Sequence, residues 1–342
     1  MKKLSVHFNT GGARLMKKVM VILMAVALFA TVAMSAGNAE DVQSYSFKVS
    51  TNHTEDHPTT QALYKFAEKL KAASKGKIEL KVYTGAQLGE ETEVIENCRQ
   101  GIIDFIRVSA GNMSSFDPMM DIFSVPYLFK DSKHYWKVLN GDLGMEIMNG
   151  LEEKGLKGIV YYDGGARSFY NRVRPIRTPA DMKGMKVRVM PSKTMLSAME
   201  ALGAKPTSTS FAEVYSALQT GVIEAAENNT IGYYTMNHHE VAKYYSLDEH
   251  MRIPDMLIMN LKKWNSMPKS VQKIIIDAAK ASQDYQIKAW GTEEKKALQA
   301  LRSKGVKMNR VEKAPFQKAV ASLVESLKPQ FKGLIEKIQA VN

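Results

Sequence analysis

The chain has one cysteine in 342 residues. No disulfide can form within it, so a packed core must hold the fold. Cys98 lies in the helical pattern Val94, Ile95, Cys98 and reads as a small buried hydrophobe, not a reactive thiol. Long apolar runs are scarce too. The one near the N-terminus, residues 19–33, is short of the ~20 residues that span a bilayer. G-x-S-x-G, P-loop and G-x-G-x-x-G signatures do not occur in the right context. With no activated nucleophile or base to name, no catalytic residue, cofactor or enzymatic activity is expected. His238 and His239 are adjacent. They cannot share a helix face, and no partner has ligand spacing, so they read as packing or solvated side chains and no metal is expected. A basic stripe of the kind that tracks nucleic acid is also missing, as are internal repeats.

What is present begins with a secretory signal peptide over residues 1–39. Lys17 and Lys18 precede the apolar run, and Gly37 and Ala39 stand at −3 and −1 of a cleavage site. Met16 makes a more ordinary start than Met1. Removing 1–39 takes away Lys2, Lys3, Arg14, Lys17 and Lys18 and no acid, so the net charge falls from +12 to +7. That is modestly basic, and would steer an anionic solute weakly.

The mature chain alternates strand and helix. Residues 45–51 alternate about Phe47 and Val49, and Asn52 and His53 follow. Asp56 or His57 caps a helix with Pro58 in its first turn. Ile78, Leu80 and Val82 mark a second strand, residues 102–109 a third, and residues 156–162 another, which runs into Asp163-Gly164-Gly165. That Gly pair permits a tight approach of backbone to a ligand. Residues 270–303 read as one long helix, and an amphipathic helix follows from Pro315. Repeated βα predicts a mainly parallel sheet.

Residues 181–229 are the most informative. Met185, Val187 and Val189 alternate with Lys186, Arg188 and Met190, which is a strand. Ser192 caps a helix that ends by Gly203. Ser210 and Glu213 form a capping box for a second helix closed by Gly221. Residues 222–226 read as a buried strand running into Glu227, Asn228 and Asn229. The order is strand, two helices, strand. Ligands of such sheets sit beyond the strands' carboxyl ends. Arg188 offers a fork that fits a carboxylate, and Asn228 and Asn229 can donate and accept. From the residues alone, Arg188 is either that anion ligand or a surface strand residue, and the Asn pair is either a ligand contact or a turn.

The strings A-D-M-K-G-M-K-V-R-V-M-P-S (180–192), A-L-G-A (201–204), F-A-E-V-Y-S-A-L-Q-T-G-V-I-E (211–224) and E-N-N (227–229) resemble the solute-binding proteins of TRAP transporters, the DctP family. The resemblance covers nearly the whole mature chain. It departs from the family pattern at P-T-S-T-S (206–210) and at E-N-N, and the second departure, together with G-A-R-S-F-Y (165–170), looks like the hexuronate-binding branch. It implies a periplasmic-binding-protein-like α/β fold, two domains joined by crossing strands and a long helix, with the ligand cleft between them. The lobes would be 40–164 with 254–290, and 165–253 with 291–342. It implies that Arg188 pairs with the ligand carboxylate, Arg167 supplies a second cation, and Asn228 and Phe211 line the site. By position it adds Asn52, Glu90, Arg107 and Ser109, with His53 a looser neighbour and Asn229 beside Asn228. Each keeps a plainer reading: Glu90 as a helix N-terminal acid, Arg107 as a partly buried structural ion pair, Arg167 as a hinge ion pair, Asn52 as a turn. His250 is either structural or near the pocket. The implied function is a periplasmic receptor that closes on an acidic sugar, glucuronate or galacturonate, and delivers it to a small and a large membrane subunit. A C4-dicarboxylate, a 2-oxo acid or an aldonate is the alternative ligand.

Overall fold

The computed structural model describes residues 43–342; the expected signal peptide lies outside them. Among the described residues, eleven strands build two sheets. In chain order they are β1 (Tyr45–Ser50), β2 (Ile78–Tyr83), β3 (Phe105–Ser109), β4 (Leu156–Tyr162), β5 (Ala166–Asn171), β6 (Lys186–Val189), β7 (Lys205–Ser208), β8 (Ala225–Asn228), β9 (Tyr244–Arg252), β10 (Asp255–Asn260) and β11 (Lys307–Arg310). The first sheet runs β2-β1-β3-β10-β4 and the second β11-β9-β5-β8-β6-β7. β1 is parallel to β2 and β3, while β10 lies antiparallel between β3 and β4. In the second sheet β6 is parallel to β7 and β8, and β5 is antiparallel to β8 and β9. The mainly parallel expectation therefore holds for β1–β3 and β6–β8. In each sheet the strand that crosses from the other (β10, β5) is antiparallel to its neighbours, because it enters from the opposite end.

Helices cover the sheets where the apolar period predicts. His57 Nδ1 accepts from Thr59 N at 3.2 Å and caps the helix Pro58–Ala73. The long helix Lys269–Ser303 packs on that helix, on β4 and on the short helix Thr230–Thr235, so it touches elements of both sheets. Its Gln286 accepts from Asp163 N at 2.9 Å and donates to Asp163 O at 2.9 Å. This satisfies both backbone groups of a buried residue where the chain passes from β4 to β5. The final amphipathic segment is two helices, Lys313–Leu327 and Leu334–Ala340, and His134 Nε2 meets Ile338 O at 2.9 Å.

Several expectations are corrected. Between β6 and β8 lies a further strand, β7, whose K-P-T-S has no apolar alternation because it is a mostly exposed sheet edge. β8 begins at Ala225, not at Val222, which is 65% exposed. Asn228 is thus the strand's last residue, not the residue after it. The Ser210–Glu213 box does not start a helix. Glu213 Oε2 takes both the N–H (3.1 Å) and the hydroxyl (2.8 Å) of Ser210, and the helix begins at Val214. Gly164 borders a cavity, as the expected close approach to a ligand requires, and the Gly pair also serves chain-to-chain packing. A Cβ on Gly164 would stand 2.0 Å from Ile253 O, and one on Gly165 (φ +66°) 2.8 Å from Trp290 Cζ2.

The two crossings, at Gly164 and at Ile253, thus touch backbone to backbone. Gly164→Ala is expected to destabilise the fold by about 1–3 kcal/mol, as overpacking does, read as a lower urea midpoint. An unchanged midpoint would show that the crossing has slack.

Candidate functional site

The carboxyl ends of β1, β3, β6 and β8 converge between the sheets on two adjoining cavities, of about 220 and 40 Å³. They share Glu91, Asn112, Arg188 and Phe211. Asn52, His53, Arg107, Ser109, Arg167, Arg188, Phe211, Asn228 and Asn229 all border the smaller cavity. Glu90 borders the larger one, with Arg188 and Phe211. All the sequence-predicted positions therefore come together, though with different tasks.

Arg107, in β3, is 1% exposed and fully engaged. Nη1 donates to Glu91 Oε1 (2.9 Å) and Asp255 Oδ1 (3.0 Å), Nη2 to Asn52 Oδ1 (2.6 Å) and Nε to Thr51 Oγ1 (3.2 Å). It is the structural ion pair of its plainer reading, and more deeply buried than that reading expects. Glu91 also accepts from Ser109 N at 3.0 Å and from Asn112 Nδ2. Burial pushes the Glu91 carboxyl up, against the pull of Arg107. Ser109 Oγ accepts from Gly111 N at 3.3 Å. His53 Nε2 lies 3.4 Å from Asp255 Oδ2, and its ring stacks on His57 at 3.7 Å. Burial, then Arg107 and Arg167, hold His53 well below its ordinary range, so it is neutral at pH 7.

Arg167, in β5, is likewise committed. Nε and Nη2 clasp Glu227 at 2.5 and 2.8 Å, and Nη1 reaches Asn228 Oδ1 at 3.0 Å. Behind Glu227 stands His250, with Nε2 3.7 Å from Glu227 Oε2 and Nδ1 2.9 Å from Asp248 Oδ2. Its ring stacks on Phe169 at 4.2 Å. Burial opposes a charge on Glu227, but Arg167 and His250 outweigh it and hold the carboxyl down to about 2. Burial likewise opposes a charge on His250, but Asp248 and Glu227 outweigh it and push the imidazole up to about 9. Asn229 holds the crossing: Nδ2 donates to Gly164 O (2.8 Å), and Oδ1 accepts from Gly232 N (2.7 Å).

Arg188, in β6, differs. It is 2% exposed. Nε and Nη2 donate to Thr209 O at 3.0 and 2.5 Å. Among the described residues no carboxylate lies within ion-pair distance of it, and Nη1 has no protein acceptor. Burial pulls its guanidinium below the usual value, yet an arginine stays charged. Phe211 lies in the same wall, its ring 6.5 Å from that of His53. His238 and His239 are packing residues. His238 Nδ1 pairs with Tyr170 Oη at 2.7 Å, and burial holds its imidazole down to about 3.

Sequence reasoning missed Glu91, Asn112, Glu227 and Asp255. Glu91 was legible: with Val94, Ile95 and Cys98 it falls at i, i+3, i+4 and i+7, on the helix's buried stripe. Glu90, the neighbour chosen instead, is the partly exposed N-cap. Glu227 and Asp255 could have been flagged as acids embedded in apolar strands.

Two α/β lobes with a buried, uncompensated arginine in the cleft define a periplasmic-binding-protein-like solute receptor. The sequence model described as bacterial extracellular solute-binding protein, family 7 (DctP) matches residues 49–330. The chain belongs to that family, the TRAP solute-binding proteins. A TRAP periplasmic solute-binding protein from Roseobacter denitrificans, solved with bound β-D-glucuronate, is 37% identical with a TM-score of 0.84, over 87% of this chain and 100% of that one. One from Sulfitobacter sp. NAS-14.1, with bound β-D-galacturonate, is 36% identical with a TM-score of 0.83, over 86% and 99%. The 2,3-diketo-L-gulonate-binding periplasmic protein YiaO of Escherichia coli is 30% identical over 90% of this chain and 92% of its own length.

The chain of Arg167, Glu227, His250 and Asp248 makes stability fall on the alkaline side. Its folded value of about 9 lies above the ~6.5 of an unfolded His. The stabilisation is therefore whole below pH 6.5 and is lost as pH rises through about 9. The loss is on the order of 3 kcal/mol at about 1.4 kcal/mol per unit. Urea unfolding at pH 6.5 and 9.5 should show it for the wild type and not for His250→Gln. Equal slopes in the two would exclude His250 as the source.

Proposed function

We propose that this receptor binds a monocarboxylate sugar acid, D-glucuronate or D-galacturonate, with the carboxylate on Arg188. The observation that carries the reading is the imbalance among the buried arginines. Arg107 and Arg167 are matched by carboxylates, whereas Arg188 has only Thr209 O and leaves its Nη1–Nη2 edge toward the cleft. A buried cation without a counter-charge is costly, and an anionic ligand removes that cost. Asn228, Asn112, Ser109 and Asn52 supply groups suited to hydroxyls. The hexuronates bound by the Roseobacter and Sulfitobacter proteins support the same choice.

In this reading Arg167 positions Asn228, and Arg107 organises Glu91 and Asp255, without either pairing with the ligand carboxylate. Residues 1–39 export the chain to the periplasm and are cleaved. The lobes are 40–164 with 254–290 and 165–253 with 291–342, the last helix reaching back onto the first lobe. They close by hinge motion, and the loaded receptor docks on the small and large membrane subunits of its transporter. The cleft performs no chemistry on its ligand.

A thermal-shift screen of the protein from residue 40 tests the ligand, because a solute bound only by the folded state raises Tm. Glucuronate or galacturonate should raise it well above succinate or pyruvate; shifts with those two alone would replace the sugar acid by a dicarboxylate or an oxo acid. Arg188→Ala should weaken binding at least tenfold, since a charged hydrogen bond contributes roughly 1.5–3 kcal/mol. Calorimetry giving equal affinities would remove Arg188 from the site.

A further inference from the structure

The stretch between β3 and β4 contains a feature that the binding site does not use. Residues 110–127 leave β3 in the first sheet and run beside the β9–β10 crossing. Ala110 N donates to Pro254 O at 2.9 Å, and Tyr127 N to His250 O at 2.8 Å. Midway, on the 3₁₀ segment Pro118–Ser124, Asp121 reaches a helix that follows the second sheet's β6. Ser192 Oγ donates to Asp121 Oδ1 at 2.5 Å. Thr194 N and Thr194 Oγ1 donate to Oδ2 at 3.0 and 2.8 Å. Asp121 is 3% exposed and Ser192 fully buried.

Ser192 already caps the helix Lys193–Ala201, its Oγ accepting from Met195 N at 3.0 Å. Asp121 adds a carboxylate at the same positive helix end from a different part of the chain. Two neighbouring contacts repeat the link. Ser114 Oγ donates to Pro191 O at 3.3 Å. Gly111 lies so close to Met190 that an added Cβ would stand 2.5 Å from its Cε. All three fix residues 190–194, the turn immediately after Arg188. Asp121 belongs to the chain that carries Arg107 and Ser109, so the contact ties the two walls of the cleft together at Arg188's end.

We propose that Asp121 is a positioning residue, an interlobe clamp that holds the turn after Arg188 and thereby slows ligand release. The proposal rests on Arg188 as the anion ligand. With the carboxylate removed, Ser192 and Thr194 lose a shared acceptor, the turn loosens, and Arg188 no longer meets the first lobe's groups in one fixed geometry.

The test compares wild type, Asp121→Ala and Asp121→Asn, with D-glucuronate as probe, by stopped-flow and calorimetry. Asp121→Ala should raise Kd at least tenfold, almost wholly through faster dissociation. Asp121→Asn should recover most of that, because an amide oxygen still accepts from Thr194 and its N–H can reach Ser192. A lower Tm with Kd and dissociation rate within twofold of wild type would reduce Asp121 to a helix cap and overturn the proposal. Hydrogen exchange on the unliganded variants decides the matter even if wild type does not bind glucuronate, an outcome that would sink the ligand reading alone. Faster exchange in Asp121→Ala, largely reversed in Asp121→Asn, should appear on both sides of the clamp, in 107–114 and in 186–195. Faster exchange confined to 192–195 would overturn the clamp.

Discussion

The site depends on how charge is balanced where water is scarce. A guanidinium inside a protein needs acceptors along its N–H edges, and normally a counter-charge, or its burial costs several kcal/mol. The chain places Arg107, Arg167 and Arg188 around one cleft and treats them unequally. Arg107 sits between Glu91 and Asp255, and Arg167 clasps Glu227. Arg188 is given a single carbonyl, Thr209 O, on one edge. The first two are parts of the wall. The third has no counter-charge among the described residues, and in the function proposed above the ligand's carboxylate supplies it.

That arrangement needs two sheets held in register, which the crossings and the long helix provide. Gln286 takes both backbone groups of Asp163, and Gln283 Nε2 donates to Tyr161 O at 2.7 Å. The helix therefore grips the chain just where it leaves the first sheet. On the far side Asn229 ties Gly164 O to the start of the helix Thr230–Thr235. Glycine at 164 and 165 lets this happen at backbone contact, with Trp290 closing over it.

Much of this was legible in the sequence, and for identifiable reasons. Strands with clean alternation, such as β1 with Phe47 and Val49 inward, were placed within a residue or so, as was the helix Lys269–Ser303 with its 3.6 period. The motif around Arg188 located the cleft. What failed was local and had local causes. β7 is an edge strand without an apolar face, so its periodicity carried no signal. The expected strand at 222–226 was drawn toward the apolar Val222, which faces solvent. The role of each arginine was beyond sequence reach. Arg107 and Arg188 both stand in apolar strands, and only the fold tells which one meets Glu91, 16 residues upstream, and Asp255, 148 residues downstream, of Arg107. Three expected ligand residues, Arg107, Arg167 and Asn229, spend their side-chain groups on the protein itself.

The same accounting bears on ligand class. A C4-dicarboxylate brings two anionic ends and needs two cations with capacity to spare. Arg107 already serves two carboxylates and two neutral oxygens, and Arg167 serves Glu227 and Asn228. His53 is held neutral by its burial and by these same arginines. A second carboxylate would therefore meet Glu91 and Asp255 with no free positive charge to offset them. A hydroxyl meets them differently: it donates to a carboxylate and accepts from Asn112, Asn228 or a backbone N–H. Carboxylates in a binding wall repel a second acid and welcome a polyol, which is how one cleft can select a sugar acid over a dicarboxylate by exclusion as much as by attraction.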